Sequence, residues 1–114
     1  MMKNTCFIIL FTFTLICSCT SVKTLYSWDD YNMSTYNYLK SENEETEQSL
    51  IKNYNKILTK QRGTRRVVPP GIYADYGFIL LRKGEVEEGN KMLEKEIELY
   101  PESKVFIDRI IKMM

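Results

Sequence analysis

Three glycines constrain this chain more than any other feature: Gly77, Gly84 and Gly89. They lie in PPGIYADYGFILLRKGEVEEGNKMLEKEIELYP, residues 69–101, where apolar residues recur at helical spacing on both sides of Gly84. A glycine inside a helix costs about 1 kcal/mol relative to alanine. Gly77 and Gly89 therefore imply compensation, and two facing helices approaching backbone to backbone would supply it. Gly84 stands where the chain must reverse, and a residue without a Cβ takes a positive φ freely. The pattern predicts an antiparallel helical hairpin. Its first helix runs to about Lys83, its second from about Glu85 to Leu99, and Pro101 breaks it.

Two helices are expected before this hairpin and one after it. Ser27-Trp28-Asp29-Asp30 fits a helix start with a hydroxyl cap, and the helix to Lys40 places Tyr31, Thr35, Tyr38 and Leu39 on one side. Trp28, the only tryptophan, is expected to staple that start to the core. Ser41-Glu42-Asn43-Glu44 reads as a capping box opening a second helix to about Gln61, with Leu50, Ile51, Tyr54, Ile57 and Leu58 as its apolar stripe. Acids crowd its start and bases its end, as the helix dipole favours. Pro69-Pro70-Gly71 precedes the third helix, at the end of a helix where proline is tolerated. That helix is apolar on so many sides that it must be sandwiched. In the fourth helix Met92, Leu93, Ile97 and Tyr100 face inward with Val86 at the start, while Lys91, Glu94, Lys95 and Glu98 form an outer ion-pair lattice. A fifth helix from Glu102-Ser103, with Val105, Phe106, Ile107, Ile110, Ile111 and Met114 as its apolar face, is expected to cover the hairpin. The fold class is all-α, about five helices in antiparallel pairs.

The N-terminus reads as an address. Lys3 precedes an apolar run from Cys6 to Ile16, too short for a membrane span of roughly 20 residues. Ile16-Cys17-Ser18-Cys19 resembles the bacterial lipobox, which implies cleavage before Cys19 and acylation of that cysteine. Two or three acyl chains would anchor a folded domain stably. Thr20 is not the aspartate that retains lipoproteins in the inner membrane of enteric bacteria, so the outer membrane facing the periplasm is expected. The expected organisation is a signal peptide over 1–18, a lipidated tether over 19–26, and a helical domain over 27–114.

Composition narrows the chemistry. The chain holds 114 residues, enough for one small domain. It has no histidine, and its three cysteines, Cys6, Cys17 and Cys19, all precede the expected domain. The commonest general base and metal ligand is therefore missing, and neither a cofactor nor a metal is expected. A net charge of +1 argues against nucleic acid as partner. Arg62, Arg65 and Arg66 form a small basic patch in the loop before Pro69. No carboxylate stands out as flanked by burial signals, so Glu94 and Glu98 read as surface charge. A small-molecule substrate is not expected.

The spacing Tyr73, Tyr76-Gly77, Leu80, Gly89, Leu93 and Pro101 resembles the tetratricopeptide template. Gly89 stands where that template has alanine, and Glu96 where a small residue packs the next helix. The resemblance implies a helical stack that binds a protein segment on the face lined by the first helix of each pair. Ala74, Phe78, Leu81 and Arg82 would line it, with Asp75 nearby. Phe78, Arg82, Asp75, Arg65 and Arg66 are the candidate partner-binding residues, and Trp28, Pro70, Gly71, Gly77, Gly84, Gly89 and Pro101 the structural ones.

The segments LYSWDDY, RVVPPGIYADYGFILL and PES–VFIDRI resemble a narrower family, the small bacterial lipoproteins of domain-of-unknown-function 4810. Members typically have WG where this chain has Trp28-Asp29. The resemblance implies a part in an envelope assembly with lipoproteins similar to the curli secretion pore. The expectation is a membrane-anchored, non-enzymatic protein–protein interaction module. The alternatives are a cell-wall-associated enzyme or a purely structural lipoprotein.

Overall fold

In a computed structural model of the chain, residues 1–3 and 20–114 are described; Cys19 and the expected signal and lipobox residues 4–18 lie outside them. Among the described residues from 20 onward, five helices follow in order: α1 (Tyr31–Lys40), α2 (Glu44–Thr59), α3 (Ile72–Arg82), α4 (Val86–Leu99) and α5 (Ser103–Ile111). No strand occurs among the described residues. The fold is all-α, with α1 packed on α2 and α3 on α4.

The α3–α4 seam is built on the glycines. A Cβ on Gly77 would lie 2.9 Å from the Gly89 carbonyl oxygen and 2.9 Å from Leu93 Cδ2; one on Gly89 would lie 2.8 Å from Leu81 Cγ. Gly84 reverses the chain at φ 83°. α3 is sandwiched as its composition implies. Ile72 and Ile79 pack with Tyr38, Leu50, Tyr54 and Ile57 of the first pair. On its other side Ala74 packs with Leu93 and with Ile107 of α5.

Helix starts differ from the sequence reading. The N-cap of α2 is Asn43, not Ser41: its side chain accepts from the Thr46 N–H at 3.0 Å, and Thr46 Oγ1 accepts from the Asn43 N–H at 3.2 Å. Several consecutive polar residues can cap, and only the backbone decides which one does. Ser27 does not cap α1. Its hydroxyl donates to Asp29 Oδ2 at 3.1 Å, Asp29 takes φ 44°, and the helix begins at Tyr31. Pro69 and Pro70 do precede α3 as the sequence reading has it, and Gly71 is the N-cap at φ 93°.

Three burial expectations are also corrected. Leu39 points outward, 77% exposed, because it lies about 100° around the helix from buried Tyr38. In α5 only Ile107 is buried; Val105, Phe106 and Ile111 are exposed, as is Met114 beyond the helix end, so the helix covers the hairpin by one edge. Val86 is exposed as well. The outer lattice of α4 reduces to Lys91–Glu88 at 3.7 Å among the described residues, while Lys95 lies 5.6 Å from the Tyr73 ring centroid.

Candidate interaction groove

A shallow groove of about 220 Å³ runs between α1 and α3. α1 supplies Thr35, Tyr38 and Leu39, α3 supplies Asp75, Phe78 and Ile79, and Leu50 and Tyr54 of α2 form the floor. These are the first helices of the two pairs, but Ala74 and Leu81, expected to line the same face, pack instead against α4 and α5 on the other side of α3. Asp75 and Phe78 both line the groove. Arg82 stands beyond one end, where its guanidinium donates to Glu42 Oε1. Arg65 and Arg66 are not brought to the groove; they lie in the loop between α2 and α3.

Asp75 is the polar centre of the groove. Tyr31 Oη donates to its Oδ2 at 2.5 Å. Burial pushes the Asp75 carboxyl above its ordinary range, and the Tyr31 hydrogen bond opposes that shift. Tyr31 is itself pushed up to about 12, by burial first and then by Asp75. Thr35 Oγ1, also in the groove, is buried without a hydrogen bond of ordinary geometry, although it lies close enough to Tyr31 to favour the phenolate slightly. The groove thus offers an apolar lining and a carboxylate, with the enclosed Thr35 hydroxyl beneath. It suits an apolar side chain carried beside a hydrogen-bond donor.

The end of the groove near the α1–α2 turn is fixed by charge. Glu42 accepts from Tyr38 Oη at 2.9 Å and from Arg82, and Arg82 before all else holds its carboxyl below the usual range. Lys83 Nζ donates to Glu47 Oε1 at 2.6 Å beside it. A larger polar cleft of about 430 Å³ lies between α1 and α2, where Asn53 Nδ2 donates to Ser34 Oγ at 3.1 Å; none of the candidate residues lines it.

Two carboxylates are withdrawn from solvent. Asp75, half-buried in the groove, is one. Glu96 is the other and is fully enclosed: its Oε1 accepts from the Gly71 N–H at 2.7 Å and from Ser103 Oγ at 3.3 Å, while Oε2 has no partner. Glu96 therefore caps α3 from α4 and ties α5 to both, with its carboxyl oxygen at the N-terminal end of α3. Its position on the α4 stripe, three residues after Leu93 and four after Met92, was the available signal.

The segment before α1 is clamped. Thr64 N–H donates to Thr24 O at 3.0 Å and Arg65 N–H to Leu25 O at 3.1 Å. Gln61 Nε2 donates to Ser27 O at 3.2 Å. Gly63 makes this possible, since a Cβ there would fall 2.3 Å from Leu25 O. Arg65 donates to Tyr26 Oη at 2.8 Å and holds that phenol below its ordinary value. Residues 24–26, expected as tether, are thus bonded to the body. Arg62 lies 4.0 Å from Asp29, which pairs with Lys56 at 2.9 Å. Trp28 is 40% exposed and sits in a ladder of rings, Tyr26–Trp28–Tyr31–Tyr54–Tyr76, with centroids 6.4, 5.6, 6.1 and 5.4 Å apart. Nothing local in the sequence announced Gly63, Gln61 or Tyr31 in these roles, because each partner lies more than 30 residues away.

Among the described residues no three acidic or thiol side chains gather as a metal site, and no helix is long and apolar enough to cross a membrane. No curated protein and no solved structure matches the chain. The family model for a domain of unknown function, number 4810, matches residues 25–110, from the clamped Leu25 to Ile110 of α5. The chain therefore belongs to the domain-of-unknown-function 4810 family.

Proposed function

We propose that the protein is a lipid-anchored, non-enzymatic interaction module that holds a segment of another envelope protein in the α1–α3 groove. The groove carries the reading. It brings Phe78 and Ile79 together with Tyr38 and Leu39, and Asp75 and Thr35 line it as well. A groove with apolar walls and a half-buried carboxylate suits a polypeptide, which supplies N–H groups and side chains together. A tetratricopeptide-like stack, which the sequence spacing suggests, would serve the same use. Acylation of Cys19, implied by the lipobox resemblance, would hold the domain at the outer membrane facing the periplasm. Lipoproteins similar to the curli secretion pore are the partners that the family resemblance suggests.

The test has two arms. Mass spectrometry of the mature N-terminus should find Cys19 first and acylated. Purification from detergent-solubilised membranes should yield one stoichiometric partner that resists high salt. Leu39→Asp places a charge on the exposed groove wall without entering the core, and it should abolish that partner while leaving the fold intact. Partner recovery equal to wild type from this variant contradicts the groove assignment.

A further inference from the structure

The N-terminal clamp decides which face of the body meets the lipid, and this inference rests on the lipid anchor proposed above. Thr24 is bonded to Thr64, so only residues 20–23 separate it from Cys19. A fully extended chain covers roughly 3.3–3.6 Å per residue, so the loop after α2 stays within roughly 20 Å of an acylated Cys19.

The surface held there is unlike the rest of the chain. Segments 20–30 and 60–67 carry five basic residues (Lys23, Lys60, Arg62, Arg65 and Arg66) against Asp29 and Asp30. The remaining residues beyond 19 carry ten basic and thirteen acidic. Apolar Val22, Leu25 and Val67 are exposed among these bases. Asp29 is turned to Lys56, and its carboxyl is held below the usual range by that contact. Arg65 bonds Tyr26 with one nitrogen and stays solvent-exposed, with further N–H donors to offer. Exposed bases interleaved with exposed apolar side chains are what binds an anionic bilayer surface.

We infer that the loop Lys60–Val67, together with Val22–Leu25, is a membrane-contact face that binds anionic phospholipid headgroups and sets the orientation of the body, leaving the α1–α3 groove to a partner.

The test uses the full lipoprotein reconstituted into vesicles of phosphatidylcholine alone or mixed with phosphatidylglycerol. Thr64→Cys provides an attachment point for an environment-sensitive dye, and Glu94→Cys on the outer face of α4 serves as the control. In the anionic vesicles, acrylamide quenching at position 64 should fall several-fold relative to phosphatidylcholine and return at high ionic strength. Quenching at position 94 should not change. Changing Arg62, Arg65 and Arg66 together to glutamine should remove the protection, and changing all three to lysine should keep it. Equal quenching at position 64 in the two vesicle types overturns the inference, as does protection that survives the glutamine changes. If mass spectrometry shows Cys19 unacylated, the anchor fails separately. The unacylated chain added to the same vesicles then decides the face: protection by phosphatidylglycerol supports it, and none overturns it.

Discussion

Gly77 and Gly89 face each other across the α3–α4 seam, each occupying the space a Cβ on the other would need: the Cβ positions fall 2.9 and 3.0 Å from the opposing carbonyl oxygens. Both obstacles are backbone, which cannot swing aside as a side chain can. Gly77→Leu should therefore unfold the domain. Gly77→Ala gains about 1 kcal/mol of helix propensity but overpacks a seam where such insertions cost about 1–3 kcal/mol. It should lower the melting temperature by several degrees, measured by circular dichroism. A wild-type melt from Gly77→Leu would show that the close contact does not exist.

Glu96 joins three helices through one carboxylate oxygen. Glu96→Ala removes the acceptor for Gly71 and leaves a cavity, and should cost about 2–4 kcal/mol in urea denaturation. Glu96→Gln keeps an acceptor at the same place and should cost clearly less. Equal losses would mean that packing volume, rather than the cap on α3, is what Glu96 provides.

Asp75 makes stability depend on pH in an unusual direction. Its folded pKa is raised above the ordinary 3.8, so the native state holds its proton more tightly than the unfolded chain does. That contribution is complete below the unfolded value and is lost as pH rises through the folded one. Asp75→Asn should remove this loss, and the gap between variant and wild-type urea midpoints should widen as pH rises above 4. Tyr31 acts similarly at the alkaline end: with its pKa pushed up to about 12, stability should fall between pH 10 and 12, and Tyr31→Phe should blunt that fall.

Gly63→Ala should open the N-terminal clamp, because its Cβ would strike the Leu25 carbonyl. Hydrogen exchange should accelerate at the Thr64 and Arg65 amides, which donate to Thr24 and Leu25, while α4 amides stay protected. Exchange unchanged at both positions would show that the segment can re-seat around the methyl.

The hairpin was legible because glycine inside a helix is costly and needs a reason; Gly77, Gly84 and Gly89 each had one. The sandwiching of α3 was legible from its apolar breadth. What escaped is what periodicity does not encode. A stripe of apolar residues tells which side of α5 is greasy but not whether another element lies over it, and Phe106 stays exposed. Adjacent Tyr38 and Leu39 are both apolar, yet only one can turn inward. Glu96 stands where the repeat template packs a small residue against the next helix, but nothing in the sequence says that its carboxylate is capping α3. Tyr31–Asp75 and Gly63–Leu25 join residues distant in the chain, and no local pattern marks them. Of the candidate residues, Asp75 and Phe78 line the groove, Arg82 stands beyond its end, and Arg65 and Arg66 belong to the clamped loop.

The use of the α1–α3 groove is tested most directly by site-specific photocrosslinking in intact membranes. A photoreactive side chain placed at Leu39, on the groove wall, should give one discrete adduct that disappears when Phe78→Ala is added. The same side chain at Glu94, on the outer face of α4, should give none. No adduct from position 39, or the same adduct from both positions, would contradict the account.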